Sequence, residues 1–128
     1  MAEPLEGKNV LLVDDDPEIV VAMKTVFEAS GASVLTAGDG DAAVTMAIEH
    51  KPDLVVLDAM LPKRSGFLVL EKLMSKRKAD QTMRVIMITG NQGKRHETWA
   101  KSLGVDDYIN KPFRMDRLMG SVEKLLGA

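Results

Sequence analysis

Apolar residues along this chain follow two alternating patterns: short continuous runs, and longer stretches in which every third or fourth position is apolar. Val10 to Val13, Leu54 to Leu57 and Val85 to Ile88 are continuous runs, and Ala32 to Ala37 and Val105 to Ile109 are weaker ones. Runs of this length, rich in Val, Leu and Ile, suit strands covered on both faces, as in a parallel sheet. Between them, Ile19, Val20, Met23, Val26 and Phe27 recur at helical spacing. So do Ala42, Ala43, Met46, Ala47 and Ile48, then Phe67, Leu70, Leu73 and Met74, and finally Met115, Leu118, Met119, Val122, Leu125 and Leu126. Asp16-Pro17 reads as a helix cap followed by proline at the first helical position, and Gly31 as the left-handed stop of that helix. Gly38-Asp39-Gly40 reads as a turn, and Ser75-Lys76-Arg77-Lys78-Ala79-Asp80 as a charged loop. A fourth helix, from near Lys94 to Gly104, is poorly amphipathic. Five strand–helix units predict an α/β fold: a parallel sheet with helices on both faces and right-handed crossovers.

Composition narrows this picture. With 128 residues, 45% of them hydrophobic, the chain is expected to form one domain over 1–128. Its core covers about residues 8–126, behind a short polar N-terminal tail. Seventeen Lys and Arg against nineteen Asp and Glu leave a net charge of -2, so the overall balance calls for neither nucleic acid nor an anionic membrane. The absence of cysteine excludes disulfides and thiolate metal sites. With no signal sequence and no apolar run near the ~20 residues of a membrane helix, the expectation is a soluble, cytoplasmic protein. Lys76, Arg77, Lys78 and Arg84 lack interleaved aromatics and read as solvated surface. Lys94, Arg95, His96 and Lys101, on the weak fourth helix, read as part of a partner face on an element that shifts cheaply.

In such a fold the carboxyl ends of all strands share one edge, where ligands and chemistry collect. The first strand delivers Asp14, Asp15 and Asp16 to that edge, the third Asp58, the fourth Thr89, and the fifth, through its loop, Lys111. Asp16 is accounted for as the helix cap. Crowded carboxylates repel one another, and a hard divalent cation with oxygen ligands relieves them. Magnesium fits best, because it keeps several waters and needs only one or two carboxylates plus a phosphate oxygen. An aspartate beside such a cation, a lysine and a hydroxyl is suited to accept a phosphoryl group as an aspartyl phosphate. Cationic stabilisation then supplies most of the catalysis.

Four segments in order carry a resemblance: Leu12-Val13-Asp14-Asp15-Asp16-Pro17; Asp58-Ala59-Met60-Leu61-Pro62 with Gly66; Ile88-Thr89-Gly90; and Gly104-Val105-Asp106-Asp107-Tyr108-Ile109-Asn110-Lys111-Pro112-Phe113. From Asn9 to Leu126 the chain resembles the receiver domain of two-component response regulators. The resemblance implies a flavodoxin-like doubly wound (βα)5 fold with strand order 2-1-3-4-5. It implies that Asp58 is the phosphoacceptor for a histidine kinase or histidine phosphotransfer protein. Asp15 would be a direct Mg²⁺ ligand, Asp14 a ligand mainly through water, and Asp58 with the Met60 backbone carbonyl would complete the protein set. Lys111 would pair with the phosphoryl group, Thr89 would hydrogen-bond it, and Tyr108 would be the aromatic switch. The Lys111–Pro112 bond would be cis. Met60 and Asn91 would tune the phosphoryl lifetime, and Lys63-Arg64-Ser65 replaces a more usual small or acidic sequence. A downstream protein would dock on the fourth helix, fifth strand and fifth helix, with no direct nucleic-acid contact by the domain. The protein would be a monomer or a phosphorylation-linked dimer, and a signalling switch that catalyses only its own phosphorylation and slow dephosphorylation.

Three other classes fit less well. A flavin or nucleotide carrier of this architecture wants a Gly or Ser/Thr-rich phosphate loop after the first strand, where this chain has three aspartates. A phosphohydrolase with an aspartyl nucleophile commonly has a second acid two residues later, where Met60 stands. A receiver-like module that is never phosphorylated has no need of Asp58, Thr89 and Lys111 together.

Overall fold

Each apolar run becomes a strand of one sheet. In the computed structural model, which describes residues 3–80, 83–90 and 94–127 and only the backbone of 78–80, these are β1 (Asn9–Val13), β2 (Ser33–Ala37), β3 (Leu54–Asp58), β4 (Arg84–Thr89) and β5 (Asp107–Asn110). All neighbours pair in parallel, in the order β2-β1-β3-β4-β5. The expected flavodoxin-like doubly wound fold is therefore the observed one. β3 is central, and every residue from Leu54 to Asp58 is buried.

Five helices, α1 (Pro17–Ala29), α2 (Gly40–His50), α3 (Gly66–Asp80), α4 (Lys94–Ser102) and α5 (Met115–Leu126), cover the sheet. Because strand side chains alternate, one set serves each face. Leu11, Val13, Val55, Leu57, Val85 and Met87 meet Ala43, Ala47, Leu70 and Leu73 of α2 and α3. Val10, Leu12, Leu54, Val56, Ile86 and Ile88 meet Met23 and Phe27 of α1 and Leu118 and Val122 of α5. α1 begins as expected, with Pro17 in its first turn and Asp16 Oδ1 accepting from Glu18 N at 3.0 Å. Among the described residues, no helix is long and apolar enough to cross a membrane.

Five local expectations need correction. Ser75 to Asp80 is not a loop, since α3 continues to Asp80. Lys, Arg and Ala are good helix formers, and the Arg77 guanidinium anchors that last turn on Asp106 and on the Gly104 carbonyl. Arg77 is therefore a structural ion-pair residue rather than solvated surface. Gly40 is not a turn residue but opens α2, whose cap is Asp39, with Oδ1 accepting from Ala42 N at 2.8 Å. β5 starts two residues later than the apolar run, because Val105 N still bonds to Ala100 O in the close of α4, at 3.2 Å. Finally, Leu5 is fully buried in the α1/α5 core, with its N–H on Ser30 O at 2.8 Å, so the polar N-terminal stretch has an apolar anchor.

Candidate functional site

Asp14 and Asp58 leave the adjacent strands β1 and β3 at the same edge and are both buried, whereas Asp15 is exposed. One carboxylate oxygen from each of Asp14, Asp15 and Asp58 lies within 4.8 Å of the others. Asp14 Oδ1 accepts from Asp16 N at 2.9 Å, which turns the chain into α1. Asp58 Oδ1 accepts from Met60 N at 3.1 Å, which turns it into the β3–α3 loop. Gly66 closes that loop. A Cβ there would fall 2.2 Å from the Asp58 carbonyl oxygen, so only glycine lets the start of α3 approach the strand end this closely.

Lys111 reaches into the cluster from the far side. Its Nζ lies 2.9 Å from Asp14 Oδ2 and 3.4 Å from Asp58 Oδ2. Its own N–H donates to Thr89 O at 2.7 Å, and the Lys111–Pro112 bond is cis, as the resemblance implied. Thr89 is buried at the end of β4, one residue beyond Ile88, whose carbonyl receives Ala59 N at 2.9 Å.

Among the described residues, Lys111 pairs with two of the three clustered carboxylates, Asp14 and Asp58, and the electrostatics reflect the crowding. Burial raises the Asp58 carboxyl above its ordinary value, and the neighbouring Asp14 charge adds to this; the Met60 N–H and Lys111 oppose it without cancelling it. Burial works to lower the Lys111 ammonium, but its contacts to Asp14 and Asp58 outweigh this and hold it above its ordinary value. Among the described residues, the metal-ligating side chains gathered here, Asp14, Asp15 and Asp58, offer carboxylate oxygens, one of them on the exposed Asp15, which is the donor chemistry of a hard divalent cation.

Tyr108 is not part of this cluster. It lies opposite Met87 in the β4–β5 register and is buried against the α2/α3 face, with its hydroxyl unpartnered among the described residues. Burial, helped by the Glu97 charge, raises that phenol above its ordinary value. The Met60 side chain is exposed and touches the site only through its backbone. Asn91 lies outside the described residues. Sequence reasoning did not foresee that Lys111 pairs more closely with Asp14 than with Asp58, a contact spanning 97 residues with no local signal.

A family model for the response regulator receiver domain matches residues 10–123. Over 120 residues the chain is 37% identical to the alkaline phosphatase synthesis transcriptional regulatory protein PhoP of Bacillus subtilis, covering 94% of this chain and 49% of that protein. The chain spans about half the length of the curated relatives it matches. The receiver domain of the Francisella response regulator 1452 superposes with a TM-score of 0.84 at 31% identity, covering 94% of this chain and 98% of that one. The receiver domain of the sensor histidine kinase PA1611 from Pseudomonas aeruginosa PAO1 was solved with a magnesium ion coordinated in its active-site cleft. It superposes with a TM-score of 0.82 at 26% identity, covering 95% of this chain and 99% of that one. Strand order, carboxylate cluster and matched family agree: the chain belongs to the response regulator receiver domains of two-component systems.

Proposed function

We propose that Asp58 accepts a phosphoryl group from the phosphohistidine of a histidine kinase or phosphotransfer protein, and that the product changes the surface offered to a downstream protein. The observation that carries this reading is the burial of Asp58 at the end of the central strand, within reach of Lys111 and of the Asp14 and Asp15 carboxylates. An Asp58 carboxylate oxygen attacks phosphorus, the new O–P bond forms, and the P–N bond breaks with its electron pair returning to the imidazole. Water later cleaves the acyl phosphate, regenerating the carboxylate and releasing inorganic phosphate. The chain thus catalyses only its own phosphorylation and slow discharge, within one receiver unit covering about residues 8–126 together with the Leu5 anchor of the N-terminal stretch.

Asp14, Asp15 and Asp58, with the Met60 backbone carbonyl, would hold Mg²⁺, whose charge offsets that spread over the transferring phosphoryl oxygens. Lys111 Nζ leaves its carboxylate partners to pair with a phosphoryl oxygen, and the Thr89 hydroxyl donates to another. Tyr108 follows Thr89, and α4, β5 and α5 re-present their outer face to the partner. A tenfold gain in partner affinity needs only ~1.4 kcal/mol of coupling, within the reach of one or two charge-assisted hydrogen bonds.

The test is intact-mass analysis after incubation with a small phosphodonor and Mg²⁺. Wild type should gain a single hydroxylamine-sensitive phosphoryl adduct, absent in Asp58→Asn and in excess chelator. An equal yield of adduct in Asp58→Asn would overturn the assignment.

A further inference from the structure

The β3–α3 loop, residues 59–65, carries the Met60 peptide next to Asp58, and its outer side rests on the N-terminus of α2. The loop's first residue is fixed to the sheet and its end to that residue: Ala59 N donates to Ile88 O of β4 at 2.9 Å, and Gly66 N to Ala59 O at 2.9 Å. Its middle has no strand to hold it. There the Pro62 carbonyl accepts from Gly40 N at 3.3 Å and from Arg64 N at 2.7 Å, and Lys63 takes a left-handed conformation with φ of 67°. Among the described residues, Gly40 is the only backbone donor from another element to reach residues 60–64.

The contact is close as well as hydrogen-bonded. Gly40 is buried, and a Cβ built on it would lie 2.1 Å from the Arg64 carbonyl oxygen and 2.6 Å from the Arg64 Cβ. No side chain at position 40 is compatible with the loop where it now lies. Two acids flanking that glycine meet two bases of the loop: Asp39 Oδ2 lies 3.8 Å from Lys63 Nζ, and Asp41 Oδ1 lies 3.1 Å from Arg64 Nε. The basic pair that looked out of place in the sequence is thus matched to the Asp39-Gly40-Asp41 segment on which it sits.

We infer that Asp39-Gly40-Asp41 and Lys63-Arg64 form a clamp that sets the β3–α3 loop, and through it the Met60 peptide, for cation binding. These are positioning residues, and none of them touches the reacting atoms. The inference rests on the Mg²⁺ site proposed above. Backbone held by Gly40 at Pro62 leaves only Leu61 between the clamp and Met60, whose N–H is already committed to Asp58. A displaced loop therefore moves the Met60 carbonyl relative to the carboxylates.

The experiment compares the Mg²⁺ concentration at half-effect in two readouts: the rise of the thermal midpoint, and the rate of phosphorylation by a small phosphodonor. Gly40→Ala should raise that concentration about tenfold, as loss of an outer supporting contact does at metal sites, while the rate at saturating Mg²⁺ stays within about twofold of wild type. Gly38→Ala is the control, since a Cβ there meets nothing within 4 Å, and should match wild type. The exposed charge pairs contribute less, so Arg64→Ala and Asp41→Asn should each shift the half-effect about two- to threefold, with Arg64→Lys close to wild type.

If Gly40→Ala does not fold, the Arg64 and Asp41 variants decide. Half-effect concentrations unchanged in the folded variants, or a lower saturating rate with no change in half-effect, would overturn the clamp. A wild type whose stability and phosphorylation both ignore Mg²⁺ would instead overturn the metal site on which the clamp depends.

Discussion

α4 and α5 flank the same strand, β5, and are attached in opposite ways. α5 buries Leu118, Ser121 and Val122 and ties itself to the strand through Asp107, which accepts from Arg117 Nη1 at 3.0 Å and from Ser121 Oγ at 2.5 Å. α4 buries only Ala100. Its other hold is aromatic: Trp99, 44% exposed, stacks on Phe67 with ring centroids 4.4 Å apart and planes 3° from parallel. His96 leans on the same ring at 5.4 Å. One helix is part of the core; the other is held by a small buried residue and one aromatic face. Few buried apolar contacts mean a low cost of local opening, so of this pair α4 is the helix that opens at the lower cost. Its handle is well placed, because Phe67 directly follows Gly66, the residue packed against the Asp58 carbonyl.

The largest effect that sharpens this contrast is on α5. Leu118→Ala removes a fully buried side chain and should cost about 2–5 kcal/mol, the range for such truncations in a packed core. Urea unfolding reads it directly as a lower midpoint at an unchanged slope. Trp99→Ala on α4 should cost less globally, about 0.5–1.5 kcal/mol for the lost stack beyond its modest buried area. It should also speed amide exchange in α4 while leaving α5 unchanged. A global loss as large as that of Leu118→Ala would mean that α4 is core after all.

The smallest effect concerns pH. Burial works to raise the Asp107 carboxyl, but Arg117, Ser121 and the Tyr108 N–H together outweigh it and hold the group below the ordinary 3.8. The folded state therefore binds this proton less tightly than the unfolded one. The resulting stabilisation is complete above the ordinary value and is lost as the pH falls through the lower, folded one. Asp107→Asn should flatten the acid limb of stability in that window and leave the limb above pH 5 parallel to wild type. An unaltered acid limb would break the link between Asp107 and the anchoring of α5.

What the sequence revealed is what is punctuated locally. The buried strands announce themselves as apolar runs, and Asp14, Asp58, Thr89 and Lys111 stand where those runs stop, so parallel topology alone brings them to one edge. Asp16-Pro17 marks its helix in the same local way. The features that were missed depend on partners distant in the chain. Ser75 to Asp80 looked like a charged loop because Asp106, which holds Arg77, lies 29 residues away. Leu5 is one apolar residue in a polar stretch, with no periodicity to mark it. Gly40 looked like a turn because the reason for glycine there is the Arg64 carbonyl. The Phe67–Trp99 stack joins two helices that show no shared pattern.

The most direct measurement is peptide-resolved hydrogen exchange of wild type and Asp58→Asn, each in Mg²⁺ with and without a small phosphodonor. Phosphodonor should change the exchange of α4 and the adjoining part of β5 in wild type, leave the buried turns of α5 as they were, and have no effect on Asp58→Asn. Identical exchange in phosphorylated and unphosphorylated wild type, or a change that persists in Asp58→Asn, would contradict a switch driven from Asp58.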